Sequence, residues 1–522
     1  MLKLTSASAL AALASGQAAG EESTKRSVSQ YDIFEIALAG PSGGNPFLEI
    51  RLSATFSLQH RTITVDGFYD GNGSYKIRFM PDAMGEWRYT TTSNASVLNG
   101  QSGEFTCTSP QASNHGPVSV RHGHHFGYAD GTPYFPFGTT CYAWIHQGES
   151  YEEQTLATLR QAPFNKIRMC VFPKSYEYNH NEPEFYLFPR TAEATRENPT
   201  GANDYSRFDP AFFTHFEHRL GQLRDLNIEA DLILFHPYDR WGYAAMAPDV
   251  DERYVRYVVA RLSAYRNVWW SLANEFDLMK AKTTQDFDRL LRLVQQCDPY
   301  QHLRSIHYSK VMYDYASPAV THASLQSYDF ASAPSWLKIW NKPIVYDEVM
   351  YEGDLPRRWG NLSGEEMTRR FWLGIVAGCY VTHGETYLNA GGSENEDDKI
   401  WWSNGGKLSG TSPARIGFLR KLLEETTDIG LEASPDPYYL NAVSSARDPQ
   451  GFEAKLPPSA ILYYFDLHQP IQYTVPLGAA TYRAELIDPW QMTITPIAGS
   501  FSGNATLKLS GRPFQAIRFR RT

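Results

Sequence analysis

From Tyr134 onward the chain repeats one unit: a short apolar run, a polar loop, then a segment with apolar residues at helical spacing. The apolar runs are Tyr134–Thr140, Lys166–Phe172, Glu229–Phe235, Val268–Ala273, Leu303–Tyr308, Ala323–Gln326, Ile344–Asp347 and Cys379–Thr382. Short apolar runs bounded by polar residues suit strands buried on both faces, as in a parallel sheet. Between them, Phe212, Phe216, Leu220 and Leu223 recur at helical spacing, as do Phe287, Leu290, Leu291 and Val294. Ser363 followed by Glu366 reads as a capping box opening a helix over 367–376. Eight strands alternating with helices over about 300 residues predict an α/β fold, a (β/α)₈ or TIM barrel. It is placed at residues 117–430.

A chain of 522 residues needs two or three domains. Residues 27–112 alternate and turn like an N-terminal β-sandwich, with Asp70-Gly-Asn-Gly73 as a hairpin turn between Arg61–Val65 and Tyr75–Phe79. Residues 431–522 return to β character, with Ala460–Phe465, Tyr482–Ile487 and Ala505–Leu509 as strands, and predict a C-terminal β-sandwich. Gly40-Pro-Ser-Gly-Gly44 matches a serine-hydrolase elbow, but that motif must join a strand to a helix. No helix is expected after it, so it reads as a loop. His122-Gly-His-His125 has no acidic or histidine partner at diagnostic spacing and reads as a polar turn rather than a metal site.

Two barrel strands stop at a glutamate: Asn267-Val-Trp-Trp-Ser-Leu-Ala-Asn-Glu275 and Lys342-Pro-Ile-Val-Tyr-Asp-Glu348. The C-terminal ends of the strands are where such a barrel places its chemistry. A carboxylate from each of two strands supplies what glycosidic-bond cleavage needs, a proton donor and a nucleophile or base. Alternation puts Trp269, Ser271, Ala273 and Glu275 on one side, with Glu275 rising into the mouth. The Asn274 amide beside it is placed to hold a sugar hydroxyl. Glu348 shares parity with Ile344 and Tyr346, and Asp347 points the other way, where a structural hydrogen bond between strand and helix is expected. Surface salt bridges at two strand ends are the competing explanation.

Leu272-Ala-Asn-Glu-Phe276 and Ile344-Val-Tyr-Asp-Glu348 resemble the acid/base and nucleophile signatures of clan A retaining glycoside hydrolases. The wider chain resembles an apiosidase-like barrel group with flanking β-domains, through Val65–Gly73, Phe79-Met-Pro-Asp82, Gly85-Glu-Trp87, Tyr134–Thr140 and Thr382-His-Gly-Glu385. The resemblance implies a retaining O-glycoside hydrolase with Glu348 as nucleophile and Glu275 as acid/base. It implies that Arg168 hydrogen-bonds the nucleophile and keeps it ionised. Phe276 and the lack of a tryptophan at the end of strand eight depart from the clan, and Trp401 or Trp402 is expected to replace that sugar platform. His236, His307, Tyr308 and Gln326, after strands three, five and six, are placed for hydroxyl contacts, with core packing the alternative for each histidine. His383 and Glu385 are read either as sugar ligands or as structural groups.

Net charge is −9, with no long basic run, which argues against nucleic acid or an anionic membrane as partner. No stretch reaches the ~18–20 apolar residues of a membrane span. The expected partner is a poly- or oligosaccharide, and no metal or organic cofactor is needed. Residues 1–20 resemble a signal peptide, and sequons at Asn72, Asn94, Asn361 and Asn504 support secretion as a glycoprotein. Five dispersed cysteines leave one disulfide open. The alternative function is a non-catalytic carbohydrate-binding protein on a barrel scaffold, followed by cleavage of another bond on the same fold.

Overall fold

The computed structural model describes residues 26–191, 203–388, 399–434, 436, 438–444 and 457–522. The leader and the acidic stretch Glu394–Asp398 lie outside these residues. Eight parallel strands form the centre: β1 (Phe137–Thr140), β2 (Lys166–Cys170), β3 (Glu229–Phe235), β4 (Val268–Ala273), β5 (Arg304–Ser305), β6 (Ala323–Gln326), β7 (Ile344–Glu348) and β8 (Tyr380–His383). They are hydrogen-bonded in the order 5-4-3-2-1-8-7-6. A parallel bridge between His307 and Ser324 joins the remaining seam, closing the TIM barrel expected from the repeat. The β5–β6 connection holds no helix among the described residues, a departure from the regular alternation.

The barrel interior is charged rather than filled with branched aliphatics. Lys166 and Arg168 are both inward and fully buried on β2. Lys166 Nζ lies 2.9 Å from Asp231 and 2.7 Å from Asp347. Arg168 donates to Asp231 and to Ser271 Oγ, each at 3.1 Å. Buried charges persist only when paired and hydrogen-bonded, so these four residues fix the rotation of β2, β3 and β7 about their own axes. Below them, the hairpin strand His125–Tyr128 closes the floor, with the Phe126 ring 5.2 Å from Trp269 and 5.6 Å from Tyr380. His124 and His125 on that hairpin share Glu432, at 3.1 and 3.3 Å. Against its burial, the two imidazoles hold the Glu432 carboxyl well below the usual range. The histidine-rich turn thus ties the barrel floor to the start of the C-terminal sheet.

The N-terminal region is a sandwich of a five-stranded and a three-stranded sheet, with Phe34, Phe56, Phe79, Trp87 and Phe105 packed between them. The Gly40–Gly44 loop is exposed, although a one-turn helix, Pro46–Glu49, does follow it. The sandwich docks on the barrel helices Pro210–Asp225 and Pro248–Leu262 through Arg78, which donates to Glu217 at 2.8 Å and to the Arg261 carbonyl at 3.0 Å. The C-terminal region is one six-stranded sheet that bends to make its own two layers. Its longest strands, Gln472–Asp488 and Thr493–Lys508, break register around Gly478 and Tyr482. A bulged strand bends, so Tyr473 folds back to within 5.6 Å of Tyr463 and 5.5 Å of Phe465.

The helix opened by Ser363 spans Gly364–Val376. Only half of the expected capping box forms: Ser363 accepts from the Glu366 amide at 3.3 Å, while the Glu366 carboxylate turns to Arg370 at 2.7 Å. All five cysteines are free thiols.

Candidate active site

Glu275 and Glu348 both end at the C-terminal rim, by different local routes. Strand β4 keeps its alternation, since Trp269 faces Lys166 and Ser271 accepts from Arg168, both inside the barrel. At its end Glu275 turns into the left-handed region (φ 48°, ψ 52°) before the 3₁₀ turn Phe276–Leu278. A non-glycine residue there is strained by about 1–3 kcal/mol, a cost that clusters at functional positions. On β7 the parity expectation fails: Asp347, expected outward, faces the interior, and Glu348 does not share the side of Tyr346. Tyr346 points outward, its hydroxyl 2.7 Å from the Asp329 carbonyl. Asp347 points into the barrel, where Lys166, Ser324 at 2.6 Å and Thr382 at 2.9 Å enclose it. It bridges strands across the interior rather than joining strand to helix. Glu348, the last residue of β7, is left on the rim.

The two carboxylates share one rim through Gln326. A register shift at Leu325/Gln326 sets Gln326 beside Glu348 in the ladder. With its amide turned to satisfy both neighbours, the Gln326 side chain donates to Glu275 Oε1 at 3.1 Å and to the Tyr308 carbonyl at 3.0 Å. Each glutamate also has its own phenol: Tyr238 donates to Glu275 and Tyr142 to Glu348. Burial first, then the negative charge of Glu275, pushes Glu348 up to about 7, against the Tyr142 hydrogen bond and the charges of Arg168 and Lys174. A like charge close by and the loss of solvent both disfavour the ionised form of a carboxyl.

Arg168 corrects the second expectation. Its described hydrogen bonds go to Asp231, to Ser271 and, at 3.1 Å, to Asn274 Oδ1, with none to Glu348. Its charge still reaches Glu348, but its direct work is to orient the Asn274 amide, whose Nδ2 faces no described protein acceptor. Trp402 is the tryptophan that faces the mouth, 5.6 Å from Tyr142 and 5.0 Å from the half-buried Trp359. Trp401 packs beneath and donates to Thr139 at 2.8 Å.

Four predicted ligands turn away. Glu385 accepts from the amides of Ser409 and Gly410, the latter at 2.9 Å. His236 faces the Phe172 carbonyl at 3.3 Å, and burial takes its imidazole down to about 3. His307 is fully buried near Arg168, Asp347 and Lys166 beneath the rim. His383 likewise stacks on Phe164 at 4.8 Å. Glu352, His383 and Glu385 do bring three ligand-type atoms together, but both carboxylates are filled by donors from residues 409–412. A cleft of about 730 Å³ between sandwich and barrel, lined by Phe47, Asp66, Arg253 and Tyr257, holds none of these residues.

Sequence reasoning missed Tyr142, Tyr238 and Lys174. Lys174, in the loop after β2, is 2% exposed and places its ammonium 4.0 Å from the Tyr142 ring centre, 4.7 Å from Tyr238 and 3.9 Å from Trp402. The available signal was position: each lies within four residues of a barrel strand's C-terminal end.

Comparison with known proteins agrees with the fold. Residues 121–428, more than half of the chain, match the family described as "Apiosidase-like, catalytic domain". Residues 27–94 and 454–520 match two domains of unknown function. A candidate glycoside hydrolase from Bacteroides vulgatus ATCC 8482 superposes with a TM-score of 0.87 at 39% identity, over 95% of this chain and 100% of that one. A glycoside hydrolase family 5 protein from the same organism gives 0.54 at 13% identity, over 78% and 94%, a likeness of fold alone. No curated protein matches the sequence. The chain belongs to the apiosidase-like catalytic domain family and carries the TIM barrel of the glycoside hydrolases.

Proposed function

We propose that the protein hydrolyses O-glycosidic bonds of a poly- or oligosaccharide with retention of configuration. The observation that carries this reading is the Glu275–Gln326–Glu348 arrangement: two buried glutamates from different strands, one side chain apart on a single rim, each held by a tyrosine. Glu348 attacks the anomeric carbon as Glu275 protonates the leaving oxygen. Water, activated by Glu275, then displaces the sugar from Glu348 and restores both groups. The Asn274 amide, set by Arg168, donates to a sugar hydroxyl during both steps. Trp402 offers an apolar face at the same rim.

The test is a screen of aryl glycosides and of plant and fungal polysaccharides with the wild type, Glu275→Ala and Glu348→Ala, with and without azide. Azide rescue of Glu348→Ala giving a glycosyl azide of inverted configuration marks the nucleophile, and a first-formed sugar of unchanged anomeric configuration marks retention. Wild-type rates in both variants would refute the assignment. We also propose export: the four sequon asparagines are exposed, and a glycosidase-sensitive mass in secreted material would show their use.

A further inference from the structure

Three lysines are nine-tenths or more buried among the described residues, and two of them are conventionally satisfied. Lys166 donates to Asp231 and Asp347. Lys282 donates to Asp251 at 2.5 Å and to the Met246 carbonyl at 3.2 Å. Lys174 is the exception, for its ammonium makes no described hydrogen bond or ion pair. It meets only ring faces, those of Trp402, Tyr142, Tyr238 and, at 5.7 Å, Tyr176. An ammonium carries three donors and no acceptor, and burying one without an oxygen partner is costly. Ring quadrupoles offset part of that cost but leave the N–H donors unused.

The cage is built from the catalytic rim itself. Tyr142 and Tyr238 spend their hydroxyls on Glu348 and Glu275, so each presents its ring to Lys174 while holding a carboxylate. Both glutamates act electrostatically on the ammonium. A sugar that bridges the two glutamates therefore passes beside Lys174. Resting on the hydrolase reading above, we propose that Lys174 is a specificity-determining residue of the subsite for the sugar whose bond is cleaved, its ammonium donating to a hydroxyl oxygen of a neutral glycone. A hydroxyl is favoured over a carboxylate because an anionic sugar would bring its charge against Glu275 and Glu348. Burial draws Lys174 down to about 8, against Cys170, Glu348 and Glu275 and with Arg168, so it is charged at neutral pH.

The experiment compares wild type, Lys174→Met and Lys174→Arg on the aryl glycoside that the wild type cleaves fastest and on its monodeoxy analogues. Loss of one charge-assisted hydrogen bond lowers kcat/KM of Lys174→Met by about 10- to 150-fold. On one deoxy analogue, wild type falls to the Lys174→Met level and the variant loses nothing further, a coupling that a merely structural role would not produce. Lys174→Met also binds the cationic iminosugar of the same configuration more tightly than wild type, because the cage no longer holds a cation. Lys174→Arg keeps the charge and part of the rate. Wild-type kcat/KM in Lys174→Met, equal losses on every deoxy analogue, or preference for the corresponding uronide overturns this inference alone. A wild type that cleaves no glycoside overturns the hydrolase reading and this inference with it.

Discussion

Replacing Asp347 with alanine separates the structural from the reacting carboxylate in the pair that ends β7. Asp347 is fully buried and accepts from Lys166 at 2.7 Å, Ser324 at 2.6 Å and Thr382 at 2.9 Å, with Arg168 3.7 Å away. Its removal leaves Lys166 and Arg168 sharing Asp231 alone. Breaking a buried ion pair from one side costs about 3–5 kcal/mol, which lowers the Tm by on the order of 10 °C. Lys166 and Arg168 hold the Asp347 carboxyl far below the usual range despite its burial. A depressed folded pKa contributes stability above the unfolded value, near 3.9, that is lost as pH falls towards the folded one. The deficit of Asp347→Ala is therefore complete at pH 7 and shrinks below about pH 4. Urea titrations followed by tryptophan fluorescence at pH 7, 5 and 3.5 measure it, with Asp347→Asn expected between wild type and alanine. An Asp347→Ala protein as stable as wild type but devoid of turnover would refute the reasoning and make Asp347 the reacting group.

Tyr142→Phe removes the phenol that favours ionised Glu348, so the acidic limb of kcat/KM, near pH 7 in wild type, moves up by about one unit; a pH–rate profile reads it directly. Glu385→Ala frees the amides of Ser409 and Gly410 and lowers stability by about 1–3 kcal/mol with kcat unchanged, as melting and kinetic assays together show. Glu229, pushed up to about 8 by burial although Trp269 donates to it at 3.0 Å, is uncharged in the fold at neutral pH. Its raised folded pKa adds stability that is full below the unfolded value, near 4.3, and is lost as pH rises through about 8. Glu229→Gln accordingly exceeds wild type in stability by on the order of 1–3 kcal/mol at pH 8, with the gain fading near pH 5, in paired urea titrations.

The barrel was legible because strands buried on both faces make continuous apolar runs, and because two of them stop at a glutamate. Alternation along β4 assigned Glu275 to the mouth, but along β7 it sent Asp347 outward, against the structure, where Asp347 faces the interior and Tyr346 points outward. It could not say that Asp347 meets charge, because Lys166 reads as an ordinary member of an apolar run until β2 is rotated inward, and Arg168 was expected at Glu348. The cage around Lys174 was invisible for a related reason. Its rings come from the ends of β1 and β3, from the short helix Trp401–Asn404 and, with Tyr176, from the loop after β2, and no spacing within one segment reports a site assembled from several. Glu385 misled because a buried acid beside β8 looks the same in sequence whether it faces the mouth or holds the amides before helix Ser412–Glu424.

Covalent trapping tests the pairing of Glu275 with Glu348 most directly. Wild type incubated with the 2-deoxy-2-fluoro glycosyl fluoride of its preferred sugar, then digested and sequenced by mass spectrometry, should carry one sugar on Glu348 and none after Glu348→Ala. A sugar attached to Glu275 or Asp347 would contradict the account.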